Sequence, residues 1–265
     1  MAMPRLQVIG GGKMGEALLA GLVAGGWAPA EELRVVERLA GRASELADRF
    51  PGVAIGDTVA PAEGHVLAVK PGDVETACEA LAEVGAAAPV LSIAAGVTVD
   101  RLEAALAPGT PVVRAMPNTP ALVGAGAAAV APGSAADDGD VAWAERILGA
   151  VGQVVRVDES LLDAVTGLSG SGPAYVFLVV EAMIEGGVLA GLPRPVATTL
   201  ATQTLLGAAR LLDESAEGPE ALRAAVTSPG GTTAAGLRAL ESASVRAAFL
   251  DAIMAATERS RELGA

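Results

Sequence analysis

Two kinds of hydrophobic spacing divide this chain. In the first part, short apolar runs alternate with longer stretches whose apolar positions recur every three or four residues. Residues 6–9, 33–36, 65–69, 90–93 and 112–114 read as strands, and residues 13–25, 40–50, 74–84 and 99–106 as the helices between them. Two further strands are predicted at 127–131 and 154–157, flanking a helix near 141–148. Such alternation indicates βαβ units and a parallel sheet. From about Ser160 no strand pattern recurs. Ala- and Leu-rich helices are predicted at 173–190, 194–213 and 244–262, with shorter ones at 219–226 and 232–241. The expected architecture is therefore α/β over residues 1–158, followed by an all-helical domain over 159–265.

The first strand runs directly into Gly10-Gly11-Gly12-Lys13-Met14-Gly15, a G-x-G-x-x-G that opens the first helix. In that context the motif is a dinucleotide-binding fingerprint. Gly10 permits the tight turn, Gly12 lets backbone approach a pyrophosphate, and Gly15 lets helix pack on strand. The helix N-terminus then faces the phosphates. The second strand ends in Glu37-Arg38, with Arg42 one turn later. An acid here favours the ribose hydroxyls of NADH, an arginine the 2′-phosphate of NADPH. Both are present, and Arg38 and Arg42 could equally be solvated surface charges; NADPH is the expected cofactor, with NADH the alternative.

Composition narrows the class. The chain is 52% hydrophobic but only 2% aromatic, so its core rests on small aliphatic side chains. Apolar content this high suggests surface buried between subunits. A net charge of -13 with no basic patch argues against a nucleic-acid partner. Cys78 is the single cysteine, so no internal disulfide can form, which fits a cytoplasmic protein. The N-terminal sequence has no secretory pattern. The most apolar stretch, 175–192, is broken by Glu181, Glu185 and Gly186-Gly187 and reads as a buried helix, not a membrane span.

Acid–base chemistry is sparse. The one histidine, His65, falls inside a predicted strand and reads as a core residue. The lysines are Lys13 and Lys70, the one tyrosine is Tyr175, and no cluster has metal-ligand spacing. Ketone reduction needs a proton donor. A cyclic imine, protonated before reaction, needs mainly positioning and desolvation.

Five further segments carry a resemblance. Ala68-Val69-Lys70-Pro71, Ser92-Ile93-Ala94-Ala95-Gly96 and Arg114-Ala115-Met116-Pro117-Asn118-Thr119-Pro120 follow successive strands. Gly167-Leu168-Ser169-Gly170-Ser171-Gly172-Pro173-Ala174-Tyr175 opens the long helix, and Ser228-Pro229-Gly230-Gly231-Thr232-Thr233 lies beyond it. In this order, over essentially the whole chain, they resemble the pyrroline-5-carboxylate reductase family. The resemblance implies an N-terminal Rossmann domain and a C-terminal helical domain that interlocks two subunits, with rings of dimers in some members. It implies hydride transfer from NADPH or NADH to an imine carboxylate.

By the same resemblance, Gly10, Gly12, Lys13, Met14, Gly15, Arg38, Val69, Lys70, Pro71, Ala94, Ala95, Gly96 and Asn118 would hold the cofactor. Met116, Glu159, Ser228, Gly230, Gly231, Thr232 and Thr233 would face the substrate. Thr233 would direct its hydroxyl at the ring nitrogen as the catalytic residue. The glycine-rich Ser228–Thr233 turn suits a carboxylate, although threonine there is also an ordinary helix cap. The layout and glycine motif also resemble 3-hydroxyacid dehydrogenases, but those carry a lysine early in the helix where this chain reads Pro173-Ala174-Tyr175-Val176-Phe177-Leu178. A non-catalytic dinucleotide sensor would not need the carboxylate turn.

Overall fold

The computed structural model describes residues 3–85 and 88–264. An eight-stranded sheet holds β1 (Leu6–Ile9), β2 (Leu33–Val36), β3 (Ala54–Gly56), β4 (His65–Leu67), β5 (Val90–Ser92), β6 (Val112–Met116), β7 (Gly126–Pro132) and β8 (Gly152–Arg156), ordered β3-β2-β1-β4-β5-β6-β7-β8. The expected strands are present. The three-residue β3, half-buried along its length, is an edge strand that no apolar run announces.

Strands β1 to β6 are parallel, but β7 runs antiparallel to β6, with Arg114 opposite Ala131. This departs from a purely parallel sheet, and the reason is the connection. Only one short 3-10 turn, Thr119–Val123, separates the two strands. A parallel return needs a crossover of a dozen or more residues.

Both faces of the central strands are covered, so β1, β4 and β5 are buried throughout, while β3 and β8 at the edges are not. On one face lie α1 (Lys13–Ala24), α2 (Ala40–Arg49) and α5 (Asp138–Gly149); Leu18, Leu19, Leu22, Leu46 and Ile147 pack there against Leu6 and Val8. On the other, α3 (Val74–Glu83) and α4 (Val99–Ala105) set Leu81 and Leu102 against Ile9 and Leu67. Helix α5 starts cleanly because Asp137 and Asp140 form a reciprocal capping box.

The compact units divide elsewhere than at the change of sequence pattern at 158/159. A first unit runs to Ser171 and takes back the chain from Ala255 onward; a second holds Gly172–Met254. The reason is that α6 (Leu162–Val165) still belongs to the sheet: Leu162 is buried with Ala129 and Ala131, and Asp163 accepts a 2.6 Å hydrogen bond from Ser260.

The second unit comprises α7 (Gly172–Leu189), α8 (Arg194–Glu214), α9 (Pro219–Ala225), α10 (Thr232–Ser242) and the first turns of α11 (Val245–Gly264). The expected burial of the apolar stretch is not met within one chain. Helix α7 has no buried residue, and Phe177, Leu178 and Leu189 are 62%, 66% and 91% exposed. By length and composition alone, the helical stretch Glu159–Leu189 could cross a membrane.

Candidate functional site

The glycine turn is shaped by close backbone approach. Gly10 has φ +106°, and a Cβ there would stand 2.5 Å from the Ala68 carbonyl oxygen. A Cβ on Gly15 would collide with the Gly10 carbonyl oxygen. A Cβ on Gly12 would meet nothing within 4 Å, so no protein atom fills that space. Gly12 is also the N-cap of α1, and no side chain caps the helix, which leaves its first N–H groups for a ligand. Open space and uncapped donors fit a diphosphate. Glu16, the acid in this first turn, is paired with both Arg42 and Arg49, which offsets the repulsion it would exert on an anion.

From this turn a cleft of about 540 Å³ opens along the carboxyl ends of β1, β2 and β4. Gly10, Gly12, Arg38, Thr58, Val69 and Lys70 are among its walls. Arg38 and Lys70 are exposed and form no ion pair among the described residues. Glu37 is committed otherwise: it accepts the Gly11 N–H at 3.2 Å and the Leu39 N–H at 2.8 Å. Lys13 and Met14 begin α1, with Lys13 exposed and Met14 packed toward the core.

A second cavity of about 340 Å³ lies within the same unit, bordered by Pro71, Ala95, Gly96, Thr166, Ser171 and Arg259. It joins the expected Pro71, Ala95 and Gly96 to Ser171, from the motif that opens α7, and to Thr166 and Arg259, which the sequence did not single out. Arg259 arrives only because the end of α11 returns to this unit, which no local pattern announces.

Several expected site residues also hold the fold together. The Ala94 methyl is 3% exposed and belongs to the core. Asn118 donates to the Ser169 carbonyl at 3.0 Å and accepts the Ala127 N–H at 2.9 Å, so its amide ties the π-helical turn Thr166–Gly170 to β7. Glu159 pairs with Arg114 at 2.7 Å through the same oxygen that accepts the Val99 N–H at 2.7 Å. Through this oxygen it clamps β6 to the start of α4. Met116 is half-buried, its methyl against Gly170.

In the second unit, Ser228, Gly230 and Gly231 form the turn ahead of α10. Gly230 has φ +69°, and the Gly231 N–H donates to the Ser228 carbonyl at 3.0 Å. The cap is Gly231 and not a threonine, and no side chain caps the helix. Thr232 and Thr233 are exposed in the first turn, so the ordinary capping role for threonine does not apply.

The remaining reactive groups are inert in place. His65 is fully buried; its Nδ1 meets Gln7 Nε2 at 3.2 Å, its Nε2 has no partner, and burial lowers its pKa to about 4. Burial likewise pushes the Cys78 thiol up to about 11. Among the described residues, no group of three His, Cys, Asp or Glu could hold a metal ion.

Known proteins share this fold. Residues 159–263 match the family model for pyrroline-5-carboxylate reductase dimerisation, and residues 5–96 match NADP oxidoreductase coenzyme F420-dependent. The pyrroline-5-carboxylate reductase of Synechocystis is 47% identical over 264 residues, covering 98% of each protein. The Coxiella burnetii pyrroline-5-carboxylate reductase structure superposes with a TM-score of 0.92 at 37% identity over 100% of both chains. The Plasmodium falciparum pyrroline carboxylate reductase, solved with NADP bound, gives 0.85 at 27% identity, again over 100% of both. With so much of each relative covered at these identities, this chain belongs to the pyrroline-5-carboxylate reductase family.

Proposed function

We infer that this protein reduces 1-pyrroline-5-carboxylate to L-proline with NAD(P)H, the last step of proline biosynthesis. The observation that carries the reading is the pairing of an uncapped, ligand-open glycine turn in one unit with an uncapped glycine-rich helix start in the other. One suits a dinucleotide diphosphate, the other a substrate carboxylate. When bound, the cofactor supplies the hydride that goes from its C4 to the ring carbon of the C=N bond. The N–H groups of Thr232 and Thr233 hold the carboxylate, and the Thr233 hydroxyl faces the ring nitrogen, where a proton must end. Ala95, Gly96, Pro71 and Lys70 border the nicotinamide end, with Val69 lining the path to it.

Arg38, exposed on the cleft wall without an ion pair among the described residues, takes the 2′-phosphate and makes NADPH the preferred cofactor. A second copy of the chain covers the apolar face of α7 and α8, giving at least a dimer, with rings of dimers the larger form. Lipid then has no part in covering that face, and the enzyme works in the cytoplasm.

The test is oxidation of NADPH and of NADH at 340 nm, with and without DL-1-pyrroline-5-carboxylate. Substrate-dependent oxidation with proline as product is expected, faster with NADPH. No oxidation by the folded oligomer with either cofactor would refute the reading.

A further inference from the structure

Both peptide groups that flank Gly11 are held by charged side chains from the next βα unit. Its N–H donates to Glu37 at 3.2 Å, and its carbonyl accepts from Arg42 Nε at 2.8 Å. In a trans peptide, carbonyl and N–H point in opposite directions. Fixing the Gly11 N–H on Glu37 therefore turns the Gly10 carbonyl the other way, toward Gly15, where a side chain would collide with it. Fixing the Gly11 carbonyl on Arg42 turns the Gly12 N–H away from α2, as a donor at the uncapped start of α1.

Arg42 is itself braced. It pairs with Glu16 in the first turn of α1 and with Glu45 at 2.9 Å on its own helix. Glu37 is braced by the Leu39 N–H at 2.8 Å. The two residues thus form a bracket that ties the glycine turn and α1 to the β2–α2 junction. Their side chains point at this turn's backbone and are spent there.

We propose that Glu37 and Arg42 are positioning residues for the phosphate-binding turn, setting the peptide directions that a dinucleotide diphosphate meets, and that neither recognises the ribose. This rests on the cofactor reading above. It reassigns two residues whose types and positions suggest cofactor discrimination: an acid for ribose hydroxyls and an arginine for a 2′-phosphate. A bracket acting through the diphosphate treats NADPH and NADH alike, because both carry that group.

The experiment measures Kd for NADPH and for NADH by quenching or enhancement of dihydronicotinamide fluorescence, in the full-length oligomer. The variants are Arg42→Met, Arg42→Lys and Glu37→Ala, each with the Tm of the free protein. Arg42→Met and Glu37→Ala are expected to weaken both cofactors about tenfold, since a hydrogen bond to a charged group is lost. The NADPH-to-NADH ratio of Kd values should stay within about twofold of wild type, since that ratio reports only the 2′-phosphate. Arg42→Lys, keeping the charge and one donor, should recover part of the loss.

A loss confined to NADPH in Arg42→Met, or to NADH in Glu37→Ala, would overturn the proposal in favour of direct ribose recognition. So would a lowered Tm with unchanged Kd values, which would reduce the bracket to stability alone. If Arg42→Met does not fold, Arg42→Lys and Glu37→Ala decide by the same ratio. A wild-type protein that binds neither cofactor would instead remove the cofactor reading itself.

Discussion

Lowering the pH should destabilise this protein through His65 well before its carboxylates are protonated. The imidazole is fully buried in β4, and its folded pKa of about 4 lies below the ordinary 6.5 because burial disfavours the cation. Between those two values the unfolded chain binds the proton and the folded chain does not. The associated stability is therefore fully present above about pH 6.5 and lost as the pH falls toward 4. At 1.36 kcal/mol per pH unit the full loss is about 3 kcal/mol, and by pH 5 about 2 kcal/mol.

The geometry supports that size. Gln7 already serves His65 Nδ1, while Nε2 has no partner to receive a second charge-stabilising bond. Urea unfolding at fixed protein concentration, from pH 7.5 to 5, on wild type and His65→Leu isolates the term. Gln7 Nε2 keeps its 3.0 Å bond to the Ala60 carbonyl in the variant. Wild type should lose about 2 kcal/mol more than the variant over that range. The chain has one histidine, so its Cε1–H resonance assigns itself in a folded-state NMR titration. Parallel stability curves, or a folded imidazole titrating near 6.5, would refute the reasoning.

Other substitutions probe the site directly. Gly12→Leu should fold with little change in Tm, because a Cβ there meets no protein atom within 4 Å, yet lose NADPH binding by more than about 100-fold; retained affinity in a fluorescence titration would remove the phosphate-turn assignment. Arg38→Ala should raise the KM for NADPH about tenfold and leave that for NADH unchanged, in contrast to the joint loss expected at Arg42. Thr233→Ala should lower kcat/KM by roughly 10–100-fold, about 1.4 kcal/mol per tenfold, with cofactor Kd unaltered; equal kinetics would exclude its hydroxyl from the mechanism. Glu159→Ala leaves Arg114, whose side chain is 10% exposed, without its counter-charge and should cost about 3 kcal/mol by urea unfolding; a loss under 1 kcal/mol would show that water reaches Arg114.

What the sequence made legible was whatever depends on neighbours along the chain. The βα alternation, the glycine turn after β1 and the helical second half all follow from local spacing, and the structure contains them. What escaped depends on tertiary direction. Strand β3 escaped because an edge strand of three half-buried residues has no apolar signature. The reversal of β7 follows from the length of a connection more than from the strand itself. Asn118 sits in a quoted motif and Glu159 outside any, and local spacing does not tell that they bond Ser169 and Ala127, and Arg114 and Val99, respectively. Ala94 faces the core for a similar reason: alternation along a strand end does not say which face continues into a loop. The apolar stretch read as a buried helix, but α7 has no buried residue within one chain, and local composition does not say what lies against a helix.

The first unit is discontinuous in sequence, and this constrains the order of events during synthesis. The segment from Ala255 onward supplies the Ser260 hydroxyl to Asp163 and places the Leu263 carbonyl beside Gly96, where a Cβ would stand 3.4 Å from it. A ribosome therefore releases the strands and glycine turn long before the residues that finish the second cavity. Assembly of that cavity waits for the segment from Ala255 onward to emerge, so a nascent chain, or one clipped ahead of Ala255, holds a nearly whole nucleotide cleft beside an unfinished chamber.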